Sequence, residues 1–124
     1  MLRLLALAGG GALGTLLRYG VTVWLGRLTP GFPYGVLTVN VVGSFFIGLC
    51  WGLCDAKGGS SLLGAFLFVG VFGGFTTFSS FSLDTMALIR AGEGRMAILN
   101  IVLNNVLGLG AAFAGGYLAR RLGA

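Results

Sequence analysis

Gly70-Val71-Phe72-Gly73-Gly74-Phe75-Thr76-Thr77-Phe78-Ser79-Ser80-Phe81-Ser82 occupies the middle of an apolar segment, Ser61 to Ile89, that is too long for one unbroken membrane span. Two adjacent glycines, two threonines and then a run of serine hydroxyls make a poor continuous helix in lipid. No water is there to satisfy a peptide group that leaves the helical ladder. Such backbone is tolerated at membrane depth only where it is buried in protein or lines a watery cavity. The stretch therefore predicts a third helix broken at residues 73–77, close to the bilayer midplane, and points to the break as the working part of the chain.

The remainder of the chain agrees with a membrane setting. Of its 124 residues 56% are hydrophobic and 9% charged, with a mean hydropathy of +0.98, whereas a soluble domain carries about 25% charged residues. A spanning helix takes about 20 apolar residues, so four of them use roughly 80 and leave no room for a soluble domain. Apolar runs at 4–26, 34–54, 61–90 and 96–118 define one all-α, four-helix transmembrane domain. The first run is interrupted only by small residues, Thr15, Arg18 and Thr22, and is too long for the core of a signal peptide. Thr29-Pro30-Gly31-Phe32-Pro33 is a turn, with Pro33 opening the second helix. Residues 55–60 and 90–95 form the other two loops. The chain has no histidine, which removes the commonest general base and metal ligand, and no enzyme activity is expected. Cys50 and Cys54 share a helix face inside an apolar run and read as small buried fillers rather than a metal or redox pair.

Four spans place both termini on one side. That side carries Arg3, Lys57, Arg120 and Arg121; the other carries Arg27, Arg90 and Arg95; Arg18 lies within the first span. Lys/Arg bias in short loops sets orientation, and this chain has almost none. Such a balance permits insertion both ways up, for which an antiparallel twofold dimer is the natural closed assembly; a single orientation fixed by weaker cues is the alternative.

Polar groups inside a bilayer are costly and usually face a partner, a cavity or a substrate. Asn40 and Ser44 stand four apart on the second span, and Asn100, Asn104 and Gly108 continue an i+4 stripe on the fourth. Phe78 with Phe81, and Ser79 with Ser82, are i+3 pairs just beyond the predicted break. Interhelical hydrogen bonding accounts for any one of these residues; the set, around a hydroxyl-rich break, reads as a permeation path. No carboxylate lies in the apolar core, Asp84 being toward the end of the third segment. Amide and hydroxyl protons are donors that suit an anion, and aromatic ring edges are electropositive. Arg18 is either a snorkelling anchor or a residue raising the anion concentration in a vestibule. Carbonyls exposed at the break would instead suit a hard monovalent cation.

Three blocks now resemble one known family. Gly9-Gly10-Gly11-Ala12-Leu13-Gly14-Thr15-Leu16-Leu17-Arg18-Tyr19, Gly35-Val36-Leu37-Thr38-Val39-Asn40-Val41-Val42-Gly43-Ser44-Phe45 and, most specifically, Gly73-Gly74-Phe75-Thr76-Thr77-Phe78-Ser79-Ser80-Phe81-Ser82 are similar to the Fluc (CrcB-type) fluoride channels. The resemblance covers essentially the whole chain. It implies a dual-topology antiparallel homodimer in the bacterial inner membrane, with two fluoride pores and a central structural Na+. By the same resemblance, the carbonyls of Gly73 and Thr76 hold that Na+, and Phe78 and Phe81 line the fluoride path. Asn40 supplies a donor to it, with the hydroxyls of Thr77, Ser79 and Ser82 beside it, and Arg18 stands near the vestibule. On the fourth span the family usually shows Tyr and then Ser; the equivalents here are Asn100 and Asn104, with Asn105 competing if the register slips by one. Asp84 stands where the family commonly has Glu.

The function implied is passive export of fluoride from the cytoplasm. Fluoride is trapped there when neutral HF crosses the membrane and ionises. The expected partners are fluoride, the bilayer and a second copy of the chain, with no nucleic acid. Two alternatives remain at this level. A small multidrug-resistance-type exporter would need an acidic residue in the first span, which this chain lacks. A non-conducting assembly subunit would use its glycines only for packing. Glycine makes up 24 of the 124 residues, against about 7% in an average protein. Gly10 with Gly14, Gly48 with Gly52, and Gly108 with Ala112 and Gly116 read as small-xxx-small contacts, whereas Gly73 and Gly74 loosen the third helix.

Overall fold

The computed structural model describes residues 1–54 and 61–123. The loop 55–60, with Lys57, lies outside the described residues. Within them the regular structure is entirely helical. Helix α1 is Leu2–Leu28 and α2 is Tyr34–Cys54. The third apolar segment is divided into α3, residues 62–75, and α4, Phe78–Arg90, and the chain closes with α5, Gly94–Arg121. The four segments are 27, 21, 29 and 28 residues long and apolar enough to cross a membrane. At 1.5 Å per residue even the shortest reaches about 30 Å, the thickness of the hydrocarbon core.

Thr76 is the central residue of the third segment, Leu62–Arg90, and the helix breaks there. Thr76 (φ −79°, ψ 157°) and Thr77 (φ −153°, ψ 117°) are both extended. The break is narrower than residues 73–77, because Gly73–Phe75 completes a last helical turn before it. Upstream, Ala65–Phe72 is wound as a π-helix. Every residue from Ala65 to Phe72 is apolar or glycine, so no hydrophobic phase is present in the sequence to distinguish a 3.6-residue from a wider repeat.

Two glycine-lined contacts hold the segments together. A Cβ on Gly10 would run into the carbonyl oxygen of Phe66, and one on Gly14 into that of Val71. A Cβ on Gly74 would lie 2.7 Å from the carbonyl oxygen of Gly11. The backbones of α1 and α3 therefore touch, and Gly74 serves that contact rather than loosening the helix. On the other side α2 packs along α5, where Gly48 meets the Ala112 carbonyl and Gly115 that of Phe45. Gly108 differs from the packing role expected of it: it is buried, but among the described residues a Cβ there would meet only Ser44 Oγ, at an ordinary contact distance of 3.7 Å, and no neighbouring backbone. The tight glycine on α5 is Gly115.

The buried core is small, formed by Val36, Leu37, Val39, Ala65, Phe81, Ala97 and Ala119, while large apolar side chains cover the outside. That inversion is stable only where lipid or another protein supplies the apolar solvent.

Candidate functional site

Opening a helix at mid-span leaves peptide groups in need of partners, and one side chain on α2 bonds two of them. Thr77 N–H donates to Asn40 Oδ1 at 2.8 Å, and Asn40 Nδ2 donates back to the Thr77 carbonyl at 3.2 Å. This pair imitates a backbone-to-backbone ladder across 37 residues of sequence. Asn40 Nδ2 also donates to Asn104 Oδ1 on α5 at 2.9 Å. Because Thr77 N–H can only donate, the orientation of the Asn40 amide is settled, and with it every amide behind. Asn104 Nδ2 donates to the carbonyl of Asn100 at 3.0 Å and to its Oδ1 at 2.9 Å. Asn100 Nδ2 donates to Thr85 Oγ1 at 2.9 Å, and the Thr85 hydroxyl to the Phe81 carbonyl at 2.8 Å. A directed chain of hydrogen bonds thus runs from the break back to the carbonyl of Phe81. Asn100 is completely buried within it.

The same bonds release two carbonyls. Thr77 N–H would close the next α-turn on the Gly73 carbonyl, and Asn40 takes it instead. Ser80 N–H would reach the Thr76 carbonyl, but it donates to the capping Thr77 Oγ1 at 3.1 Å. Both oxygens lose their helical partners at the C-terminal end of α3, where the helix dipole is negative. Neutral carbonyls in that position suit a hard monovalent cation such as Na+. Gly73 is also exposed on the surface of the chain.

Beside the break lies a groove of about 380 Å³, floored by α2 and α5 and walled by the start of α4. Asn40, Thr77, Phe78, Phe81 and Asn104 line it, as does Thr76. The two rings are 5.3 Å apart at 51°. Phe81 is 8% exposed and Phe78 79%, so one ring is fixed in the core and the other projects from the chain. Ser82 lines the neighbouring groove and donates to the Phe78 carbonyl at 2.9 Å. Ser79, which is exposed, and Asn100, which is buried, are not among the groove residues; Ser79 Oγ lies 3.3 Å from Thr77 Oγ1. Arg18 is half-buried on α1 and is not among the groove residues. Asp84 also lies elsewhere, beside the α1–α2 turn, with its Oδ2 buried and without a hydrogen-bond partner among the described residues.

The structure redistributes the donors. Both N–H groups of Asn40 are committed, and the Asn104 amide is held by Asn100. Ser44 and Asn105 also line the groove. The Ser44 hydroxyl makes no hydrogen bond among the described residues, and Asn105 uses its Nδ2 once, toward the Ile101 carbonyl at 2.7 Å. These two carry the unspent protons. The i+4 spacing of Ser44 from Asn40 was the available signal for one; for the other it was the possible slip from Asn104 to Asn105. Thr85, which ties Asn100 down, carries no comparable mark. The groove offers hydroxyl and amide donors and ring edges, with no carboxylate among the described residues that line it. Such a lining suits a small anion better than a cation.

Comparison with known proteins gives concordant results. The family described as CrcB-like protein, Camphor Resistance (CrcB), matches residues 5–116. A fluoride-specific ion channel FluC of Parabacteroides distasonis is 51% identical over 123 residues, 98% of this chain and 96% of the relative. One from a strain of Thermus thermophilus is 50% identical over 114 residues, 91% of this chain and 90% of its own length. Another, from Paracoccus denitrificans, is 48% identical over 118 residues, covering 95% and 94%.

Proposed function

Because the chain belongs to the CrcB-like family, we propose that it is a fluoride-specific ion channel whose path is the groove beside the Thr76–Thr77 break. The observation that carries this reading is the lining itself: Ser44, Asn105, Phe78 and Phe81 turned into a groove whose described lining contains no carboxylate. Fluoride holds its water tightly, so a selective path must replace that water with converging donors. The free hydroxyl of Ser44 and the second amide proton of Asn105 do so, while ring edges give a narrow, weakly attractive wall. Several weak contacts in series allow exit as well as capture. The channel is passive, and a negative membrane potential drives the anion outward.

The groove is open along its length toward the outside of the chain, where Phe78 projects. A second copy in the opposite orientation closes it, and its nearly balanced charges permit that orientation. The released carbonyls of Gly73 and Thr76 from both copies would then converge on the twofold axis and hold one Na+. Such an ion fixes the two broken helices against each other and takes no part in carrying fluoride. The residues of the Asn40–Asn104–Asn100–Thr85 chain hold the break open and keep its geometry.

The test is fluoride efflux from liposomes containing the purified protein, with chloride as the control. Rapid fluoride loss with chloride retained supports the reading. No fluoride loss, or equal loss of both ions, overturns it.

A further inference from the structure

The groove at the break is one part of a longer track. Phe78, Phe81 and Asn105 also line a second groove, of about 640 Å³, that ends at Arg90. In the other direction Ile47 and Ala112 are shared with a third, of about 620 Å³, that runs past Trp51 and Tyr117 to Arg120. Arg90 is the last residue of α4, just before α5 begins, and Arg120 lies in the last turn of α5. A helix of 28 residues is about 40 Å long, so the track runs from one membrane face to the other. Among the described residues, Arg90 and Arg120 are the only charged ones that line it.

We propose that Arg90 and Arg120 mark the two mouths of the path and gather anions there, one at each membrane face; this rests on reading the groove as the fluoride path. Neither guanidinium has an ion pair or hydrogen bond among the described residues, so both positive charges are free to act on the track. The neighbouring Arg121 supplies the contrast. Its Nε and Nη2 donate to the Tyr117 hydroxyl at 2.8 and 2.5 Å, its guanidinium stands 5.1 Å from that ring, and it does not line the track. Arg120 and Arg121 are equivalent as partners for the negative end of α5. Only Arg120 is placed to raise the concentration of anions at a mouth. A fixed positive charge at a cleft does this through a field that salt screens.

The experiment compares fluoride efflux from liposomes carrying the wild type, Arg90→Gln/Arg120→Gln, Arg90→Glu/Arg120→Glu and the control Arg95→Gln/Arg121→Gln. Fluoride is kept below saturation, and ionic strength is set with an impermeant salt. One charge about 8 Å from the path changes the local anion concentration about twofold in dilute salt, so the Gln pair should lose about twofold and the Glu pair about fivefold. Both losses should vanish near 1 M salt, where the screening length is about 3 Å, and the control should match the wild type throughout. A double Gln variant as fast as the wild type at about 10 mM salt overturns the assignment. So does a loss that persists at high salt, or an equal loss in the control. Failure of the wild type itself to pass fluoride would instead sink the reading of the path on which the assignment rests.

Discussion

Replacing Asn40 separates its two roles, holding the third helix open and facing the anion. The side chain accepts one hydrogen bond from Thr77 N–H and donates two, to the Thr77 carbonyl and to Asn104. Asn40→Leu removes all three. At about 0.6 kcal/mol for an average side-chain hydrogen bond between membrane helices, the fold loses about 2 kcal/mol. Thr77 N–H is then free to return to the Gly73 carbonyl. Asn40→Asp keeps the acceptor for Thr77 N–H but loses both donors and adds a negative charge. A carboxylate about 5 Å from a passing anion raises its energy by about 3 kcal/mol at an effective dielectric constant of about 20. That corresponds to roughly two orders of magnitude in rate. Fluoride efflux should therefore fall in the order wild type, Asn40→Leu, Asn40→Asp, with at least about tenfold between the two variants. Denaturant unfolding in detergent should show Asn40→Leu destabilised by about 2 kcal/mol. An Asn40→Asp protein that carries fluoride at the wild-type rate, or an Asn40→Leu protein as stable as the wild type, would refute the reasoning.

Three further outcomes are expected. Gly14→Ala and Gly115→Ala each drive a methyl group into a backbone carbonyl of the neighbouring helix and should cost about 1–3 kcal/mol in unfolding measurements. Gly110→Ala, with nothing within 4 Å of the new atom, should not destabilise. Phe81→Ala, at a site 8% exposed, should cost about 3–5 kcal/mol; Phe78→Ala, at a site 79% exposed, should leave unfolding of the single chain nearly unchanged while lowering fluoride efflux. Replacing Na+ with a large organic cation should lower both the thermal midpoint of the dimer and fluoride efflux, and Na+ should restore them; indifference to the cation would remove the central ion from the proposal.

Much of this organisation is legible in the sequence, for reasons that differ between elements. The four spans are, because length and apolarity alone decide whether a segment crosses a bilayer. The break is, because glycine followed by threonine and serine offers the chain local alternatives to the helical ladder. Its position within the motif is sharper in the structure: Gly73–Phe75 still turns, and Thr76–Thr77 alone is extended. The commitment of the Asn40 protons was hidden because its partners stand 37 and 64 residues away. Thr85 is unmarked in the sequence for a similar reason, since only the fold brings it to Asn100. Gly108 and Gly115 look alike as letters and, seven residues apart, share a helix face, yet one borders the groove and the other touches Phe45, so helical phase alone does not tell them apart. Arg120 and Arg121 are adjacent and identical, and only the Tyr117 hydroxyl distinguishes them.

The central claim, that fluoride passes along the groove at the break, is tested most directly by plugging that groove in a working protein. Gly108→Cys, in a chain with Cys50→Ala and Cys54→Ala, places a thiol opposite Ser44 Oγ, 3.7 Å from the position of its Cβ. Fluoride efflux is measured before and after labelling with a small methanethiosulfonate, with complete modification verified by mass and Gly110→Cys as the control outside the groove. Labelling at position 108 should reduce efflux at least about tenfold, the effect of roughly 1.4 kcal/mol at the barrier, and labelling at position 110 should leave it unchanged. Undiminished fluoride efflux from the fully labelled Gly108→Cys protein would place the path elsewhere.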